Sequence, residues 1–179
     1  MRRPTAGFTM VEVLVAVLLL AVGLVGALAM QAHAMRARHE SALQTEALQA
    51  AATLADRIRA NGAQSSAYAA FEFDAASPPA PSSAAGACSE APCDTAALAQ
   101  RELAEFRQHL QAALPAGRAV VCRDAASAPG GQAQWACDNK PDAPVVIKIG
   151  WRSRQSGAAA PASAPQVALP VALAPGGAP

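Results

Sequence analysis

Aromatic side chains make up only 4% of this 179-residue chain. Any globular core is therefore small and rests on few anchors: Tyr68, Phe71, Phe73, Phe106, Trp135 and Trp151. Cores of that size often need covalent help. Net charge is nearly absent too, at +1, which argues against a nucleic-acid binder. No phosphate-cradling glycine loop, zinc-protease helix or nucleophile elbow occurs. His33, His39 and His109 are scattered, with no acid or cysteine beside them as a triad. His109 lies four residues after Glu105, the spacing of an ordinary helix pair. The chain reads as no enzyme, and nothing in it calls for a cofactor or a metal. Proline is missing between Pro4 and Pro78, and no acid precedes Glu12.

Those two gaps frame what is present. Val13 to Met30 is a run of eighteen residues without a charge. As a helix it spans about 27 Å, close to the hydrocarbon thickness of a bilayer. Beyond Met30 the pattern turns amphipathic, with Leu43, Ala47, Leu48, Ala51, Leu54, Ala55 and Ile58 at helical spacing. Arg36, Arg38, Glu40, Gln44, Glu46, Gln49, Asp56 and Arg57 supply its polar side. The first strong stop is Asn61-Gly62, a pair suited to a left-handed cap. A single helix from about residue 8 to 60 is expected, roughly 80 Å long. Gly23 and Gly26 fall mid-span, where they weaken the helix or permit close packing.

Arg2 and Arg3 stand alone before the apolar block and orient the extreme N-terminus toward the cytoplasm. Three templates accept such a start. An ordinary signal peptide would use the small-residue sites Ala27-Leu28-Ala29 or Ala32-His33-Ala34. A plain single-span anchor would need no cut. Neither gives Glu12 a role, although a lone carboxylate near the start of a membrane helix is costly and is usually paired or functional.

The third template does. Gly7-Phe8-Thr9-Met10-Val11-Glu12-Val13-Leu14-Val15-Ala16 resembles the class III signal of type IV pilins and pseudopilins. The resemblance implies a leader cut after Gly7 by a prepilin peptidase, methylation of the new amine on Phe8, and an assembly role for Glu12. Physical chemistry agrees with it. Amine and carboxylate would lie one helical turn apart, and in apolar surroundings opposite charges are strongly driven to pair. The partner is either the subunit's own amine or a neighbour's. Loss of Arg2 and Arg3 would leave 12 basic residues against 13 acids, a nearly neutral mature chain.

Further segments narrow the resemblance. Residues 21–31, AVGLVGALAMQ, and residues 54–61, LADRIRAN, are similar to the type IV pilus modification proteins, the PilV-type minor pilins. Cys93-Asp94 before a helix, Leu114-Pro115-Ala116-Gly117 after it and a strand ending near Trp151 fit as well, though the double glycine common after that proline is missing. Minor pseudopilins of type II secretion share the signal and are the rival family. The resemblance implies a minor pilin that meets other minor and major pilins, prepilin peptidase and the inner membrane. It implies a single membrane pass with a periplasmic head, delivery to the pilus surface, and effects on adhesion or twitching. No nucleic acid is expected. A periplasmic binding module with an ordinary signal peptide is the alternative outside the family.

Residues 63–92, rich in Ala, Ser and Pro, read as a surface loop to which Tyr68, Phe71 and Phe73 either belong or return from the core. Asp94 offers an N-cap to a second helix over 95–114, with Leu98, Leu103, Phe106, Leu110 and Leu114 inward. Arg101, Glu102, Glu105, Arg107 and Gln108 make its outer face. Strands are expected over 118–123, 134–137 and 145–151, with Pro129-Gly130-Gly131 as a turn. Cys88, Cys93, Cys122 and Cys137 allow three pairings, of which Cys88–Cys93 and Cys122–Cys137 are preferred. Zinc is the rival, with spacings that match no common zinc ribbon.

The expected fold is α+β and pilin-like: a long N-terminal helix with a small antiparallel sheet as its head. The parts are a leader at 1–7, a membrane or filament-core half-helix at 8–30 and an amphipathic half at 31–61. A head at 62–155 and an Ala/Pro-rich tail at 156–179 follow. The tail is expected to be extended, and its run Val167, Leu169, Val171, Leu173 is able to add an edge strand to a neighbour.

Overall fold

A computed structural model describes residues 7, 9–77, 94–125, 133–152 and 164–173. Its first element is α1, Met10–Ala60, a helix of 51 residues. The lack of proline from 5 to 77 leaves nothing in the sequence to break it. The chain divides into two compact units, Met1–Ser41 and Ala42–Pro179. In the first, every large aliphatic side chain from Met10 to Met35 is exposed. In the second, Leu43, Ala47, Ala50, Ala51, Leu54, Ala55 and Ile58 form the buried stripe expected from their spacing.

At the end of α1 the expected left-handed cap is absent. Asn61 has φ −118° and its N–H still donates to the Arg57 carbonyl at 3.0 Å. Its side chain is used instead: Asn61 Nδ2 donates to the Thr95 carbonyl (2.8 Å) and to the Tyr68 hydroxyl (3.3 Å). A 3-10 turn, Gly62–Gln64, and a single helical turn, α2 (Ser65–Tyr68), follow at once. They lead to β1, Glu72–Asp74. The segment 63–77 is thus folded, and Tyr68, Phe71 and Phe73 are all buried. In a core with so few aromatics, their burial supplies area that nothing else does.

The second helix, α3 (Thr95–Ala113), starts as expected: Asp94 Oδ1 accepts from the Ala97 N–H at 2.7 Å. Phe106, Leu110 and Leu114 are buried, with Ala99 and Ala104 between them, whereas Leu98 is exposed. Strands β2 (Arg118–Arg123), β3 (Val145–Gly150) and β4 (Val167–Val171) complete an antiparallel sheet in chain order, β1-β2-β3-β4. Ala119, Val121, Val145, Ile147, Ile149, Val167 and Val171 join the α1 stripe, α3 and the aromatics in one core cluster.

Two strand expectations change. Residues 133–140 form no strand, and β2 pairs directly with β3, Val120 opposite Lys148 and Cys122 opposite Val146. The supposed tail instead contributes β4, paired with β3 from Val167–Ile149 to Val171–Val145. The alternation Val167, Leu169, Val171 meets the apolar face of its own sheet, and Pro170 is tolerated because β4 is an edge strand. Gln166 fixes the register: its side-chain oxygen accepts from the Trp151 N–H (2.7 Å) while its Nε2 donates to the Trp151 carbonyl (3.2 Å). The turn at Pro129-Gly130-Gly131 lies outside the described residues.

Candidate functional site

The N-terminal candidates converge on the start of α1. Thr9 stands just before the first helical residue, and the Glu12 N–H donates to Thr9 Oγ1 at 3.3 Å and to its carbonyl at 3.1 Å. That is the N-cap geometry, and Thr9-x-x-Glu12 has the form of a capping box, a signal available in the sequence. Glu12 also falls in the first turn, where the helix dipole favours an anion. It lines a shallow groove along the helix with Val13, Ala16, Val17 and Leu20. The carboxylate therefore borders an aliphatic surface rather than a polar one. Gly7 is exposed, and Phe8 lies outside the described residues.

In the head, the helices are joined by charge as well as packing. His109 does not pair with Glu105 four residues before it; its Nε2 meets Glu46 Oε1 on α1 at 3.0 Å. Glu105 is taken by two arginines, Arg57 Nη1 at 2.8 Å and Arg101 Nε at 3.0 Å. Those contacts, Arg57 first, hold its carboxyl below the usual carboxylate range despite partial burial. Between the two pairs lies a groove of about 330 Å³ floored by Ala50, Leu54 and Phe106. Glu102 accepts from the Tyr68 hydroxyl. Burial, and then that contact, push the Tyr68 phenol up to about 12. Arg107 sits over the Phe71 ring, 5.6 Å from its centre. What reads as the solvated side of α3 is in large part a seam.

The cysteine expectation divides. Cys122 and Cys137 are bonded, with Cα atoms 6.3 Å apart, so neither serves as a zinc ligand. Cys88 and Cys93 lie outside the described residues. The bond joins β2 to the irregular segment 133–140, not strand to strand as expected. That segment covers the sheet face opposite the core. There Lys148, 0% exposed, donates to Asp124 Oδ2 at 2.5 Å and to the Ala136 carbonyl at 2.7 Å. Asp124 is itself only 3% exposed. The Arg118 guanidinium lies 4.5 Å from the centre of the Trp135 ring. Disulfide, buried ion pair and cation–π contact together clasp the segment onto the sheet. Lys148 was missed because a lone lysine in Val-Val-Ile-Lys-Ile-Gly looks like the solvent side of an alternating strand. Among the described residues no group of three or more His, Cys, Asp or Glu side chains comes together to hold a metal.

Comparison with known proteins adds the deciding observation. The family model for the prokaryotic N-terminal methylation motif matches residues 2–28, and that for type IV pilin Tt1218-like proteins matches residues 29–104. This is a type IV pilin-like protein. No curated protein and no solved structure matches it. The two matches meet inside α1, so this pilin's motif and its head-bearing segment share one helix. A pilin is a structural subunit rather than an enzyme, and this class of signal is processed by prepilin peptidase. The exposed apolar length of α1 is suited to membrane anchoring and to assembly with other pilins.

Proposed function

We propose that this pilin is a minor subunit of a type IV pilus. The observation that carries the reading is the division of α1. One half of the helix is apolar and exposed behind the Thr9–Glu12 start, while the other is the core of a folded head. A subunit built this way has a head that is complete and a helix that is not. A bilayer first, and then the helices of neighbouring pilins, would cover the apolar half. The segment 54–61, LADRIRAN, supports the PilV-type assignment among pilins. On this reading the head lies in the periplasm, the helix crosses the inner membrane once, and the mature subunit joins other minor pilins to start assembly, with effects on adhesion or twitching.

In the proposed pathway, prepilin peptidase cuts between Gly7 and Phe8, and the exposed Gly7 offers no side chain to obstruct it. The amine on Phe8 is then methylated. Glu12 shares its groove with Val13, Ala16, Val17 and Leu20, so among the described residues that line it no polar group replaces water as subunits close around it. An amine from a neighbouring subunit would relieve that cost, so the pair sets axial register. The test is the intact mass and N-terminal sequence of the mature protein from membranes. A chain starting at methylated Phe8 is expected; a start at Met30 or Met35 overturns the reading. A second test is Glu12→Ala, expected to weaken co-purification with pili while the head stays folded. Normal incorporation of that variant removes the register role.

A further inference from the structure

The apolar run of α1 is followed by two arginines and two histidines before the first acid, Glu40. Between Glu12 and Glu40 the charged or titratable side chains are His33, Arg36, Arg38 and His39, with no acid among them. All four are exposed. At 100° per residue they point in roughly the 0°, 300°, 140° and 240° directions about the helix axis, over a rise of about 9 Å. They make a collar round the helix rather than a stripe along it. This differs from the segment that follows, where the polar residues keep to one side because Leu43, Ala47, Ala50, Ala51 and Leu54 bury the other.

The height of the collar matters as much as its sign. Arg36 lies 24 residues beyond Glu12, about 36 Å along the helix. A bilayer's hydrocarbon is about 30 Å thick, and about 40–45 Å with its headgroups. With Glu12 at one polar edge, His33 to His39 fall within the headgroup layer of the other leaflet. The orientation is unfavourable by the usual bias, which keeps Lys and Arg on the cytoplasmic side. Arginines held on the far side favour an anionic partner; Glu40 lies one turn beyond Arg36, and the anion that surrounds the helix at that depth is phosphate. The guanidinium fork matches phosphate oxygens in pairs.

We infer that His33, Arg36, Arg38 and His39 form a lipid-binding collar that takes the phosphates of anionic phospholipids in the far leaflet and fixes the depth of α1. The inference rests on the membrane-spanning reading above. A contact with the acids of one neighbouring subunit would use one side of the helix, whereas Arg36 and Arg38 point about 160° apart, toward opposite sides, as a surrounding headgroup layer requires. Incorporation into a filament would then demand release of these lipids.

The full chain purified from membranes, reconstituted in phosphatidylcholine vesicles carrying trace spin-labelled phosphatidylglycerol or phosphatidylcholine, provides the test. The expected result is a preference for phosphatidylglycerol at the protein boundary of about fivefold, reduced in 1 M salt. Arg36→Gln/Arg38→Gln should bring the ratio close to one, and Arg36→Lys/Arg38→Lys should retain most of it. A wild-type ratio of one, or an unchanged ratio in the glutamine variant, overturns the collar while leaving the pilin reading intact. Unchanged lipid preference with lost pilus incorporation overturns it in favour of a subunit contact. Failure of the wild-type chain to enter vesicles at all overturns the membrane-spanning reading and the collar together.

Discussion

At the scale of single residues, the head is held by groups whose roles depend on burial more than on chemical type. Lys148 is the clearest: with its partner Asp124 it is removed from water, and each offsets the other's buried charge. Lys148→Met is expected to destabilise the full chain by about 3 kcal/mol, because it takes away the ammonium that neutralises a carboxylate only 3% exposed. Lys148→Met with Asp124→Leu should recover much of that loss, and urea unfolding followed by circular dichroism separates the two. Ala116 makes a different point. It has φ 48°, in the left-handed region that favours glycine, at the position after Pro115. A Cβ costs about 1–2 kcal/mol there, so Ala116→Gly should raise the urea midpoint by a net gain of about 0.5–1 kcal/mol once the added chain entropy is counted. At the neighbouring Gly117 the reverse change would be tight. A Cβ there would meet Leu114 Cβ at 3.2 Å and the Leu110 carbonyl oxygen at 3.4 Å.

At the scale of elements, legibility followed the origin of each signal. α1 could be read because its cause is local and repeated: an apolar run, a helical stripe and no proline. α3 could be read because Asp94 announces its start and Phe106, Leu110 and Leu114 recur at helical spacing. Asp94→Ala should cost about 1 kcal/mol through loss of the bond to the Ala97 N–H, measured as a lower thermal midpoint with the sheet signal intact. Strands were less legible because what stabilises them is elsewhere in the chain. Gln134 to Cys137 has strand-like composition, but the edge of β2 that it would have taken is already paired with β3. Val167–Val171 lies in an Ala/Pro context that reads as unstructured, yet it finds the open edge of β3 and the two bonds from Gln166 to Trp151. The start of α1, by contrast, was legible down to Glu12, with only the cap by Thr9 passed over.

At the scale of the whole molecule, stability should depend on pH at both ends and on redox state. Glu105 has a lowered pKa, so its contribution is present above the ordinary carboxylate value and is lost as pH falls through the lowered one. The effect is small, because the side chain is 41% exposed and screened. Glu105→Gln should flatten the acid limb of stability against pH. Tyr68 is raised, so its contribution is complete below about 10, the ordinary phenol value, and is lost as pH climbs toward about 12. Tyr68→Phe should remove that alkaline slope, at a cost near neutrality of about 1 kcal/mol for the lost hydrogen bonds. Reduction of Cys122–Cys137, separated by 15 residues, should cost about 3 kcal/mol, seen as a lower midpoint in dithiothreitol that Cys122→Ser/Cys137→Ser reproduces.

The position of β4 has a consequence for anyone shortening this protein. Every residue that the pilin family models match, 2 to 104, would survive a stop at residue 155, and such a truncation would look conservative. It would nevertheless strip Val167 and Val171 from the core and unpair the outer side of β3, whose six residues are all buried in the intact head. An apolar strand with a bare row of amides and carbonyls is a template for another copy. The shortened head would therefore be found in exchanged dimers or aggregates. Its failure in assembly would then be misread as evidence that the last residues contact other pilins.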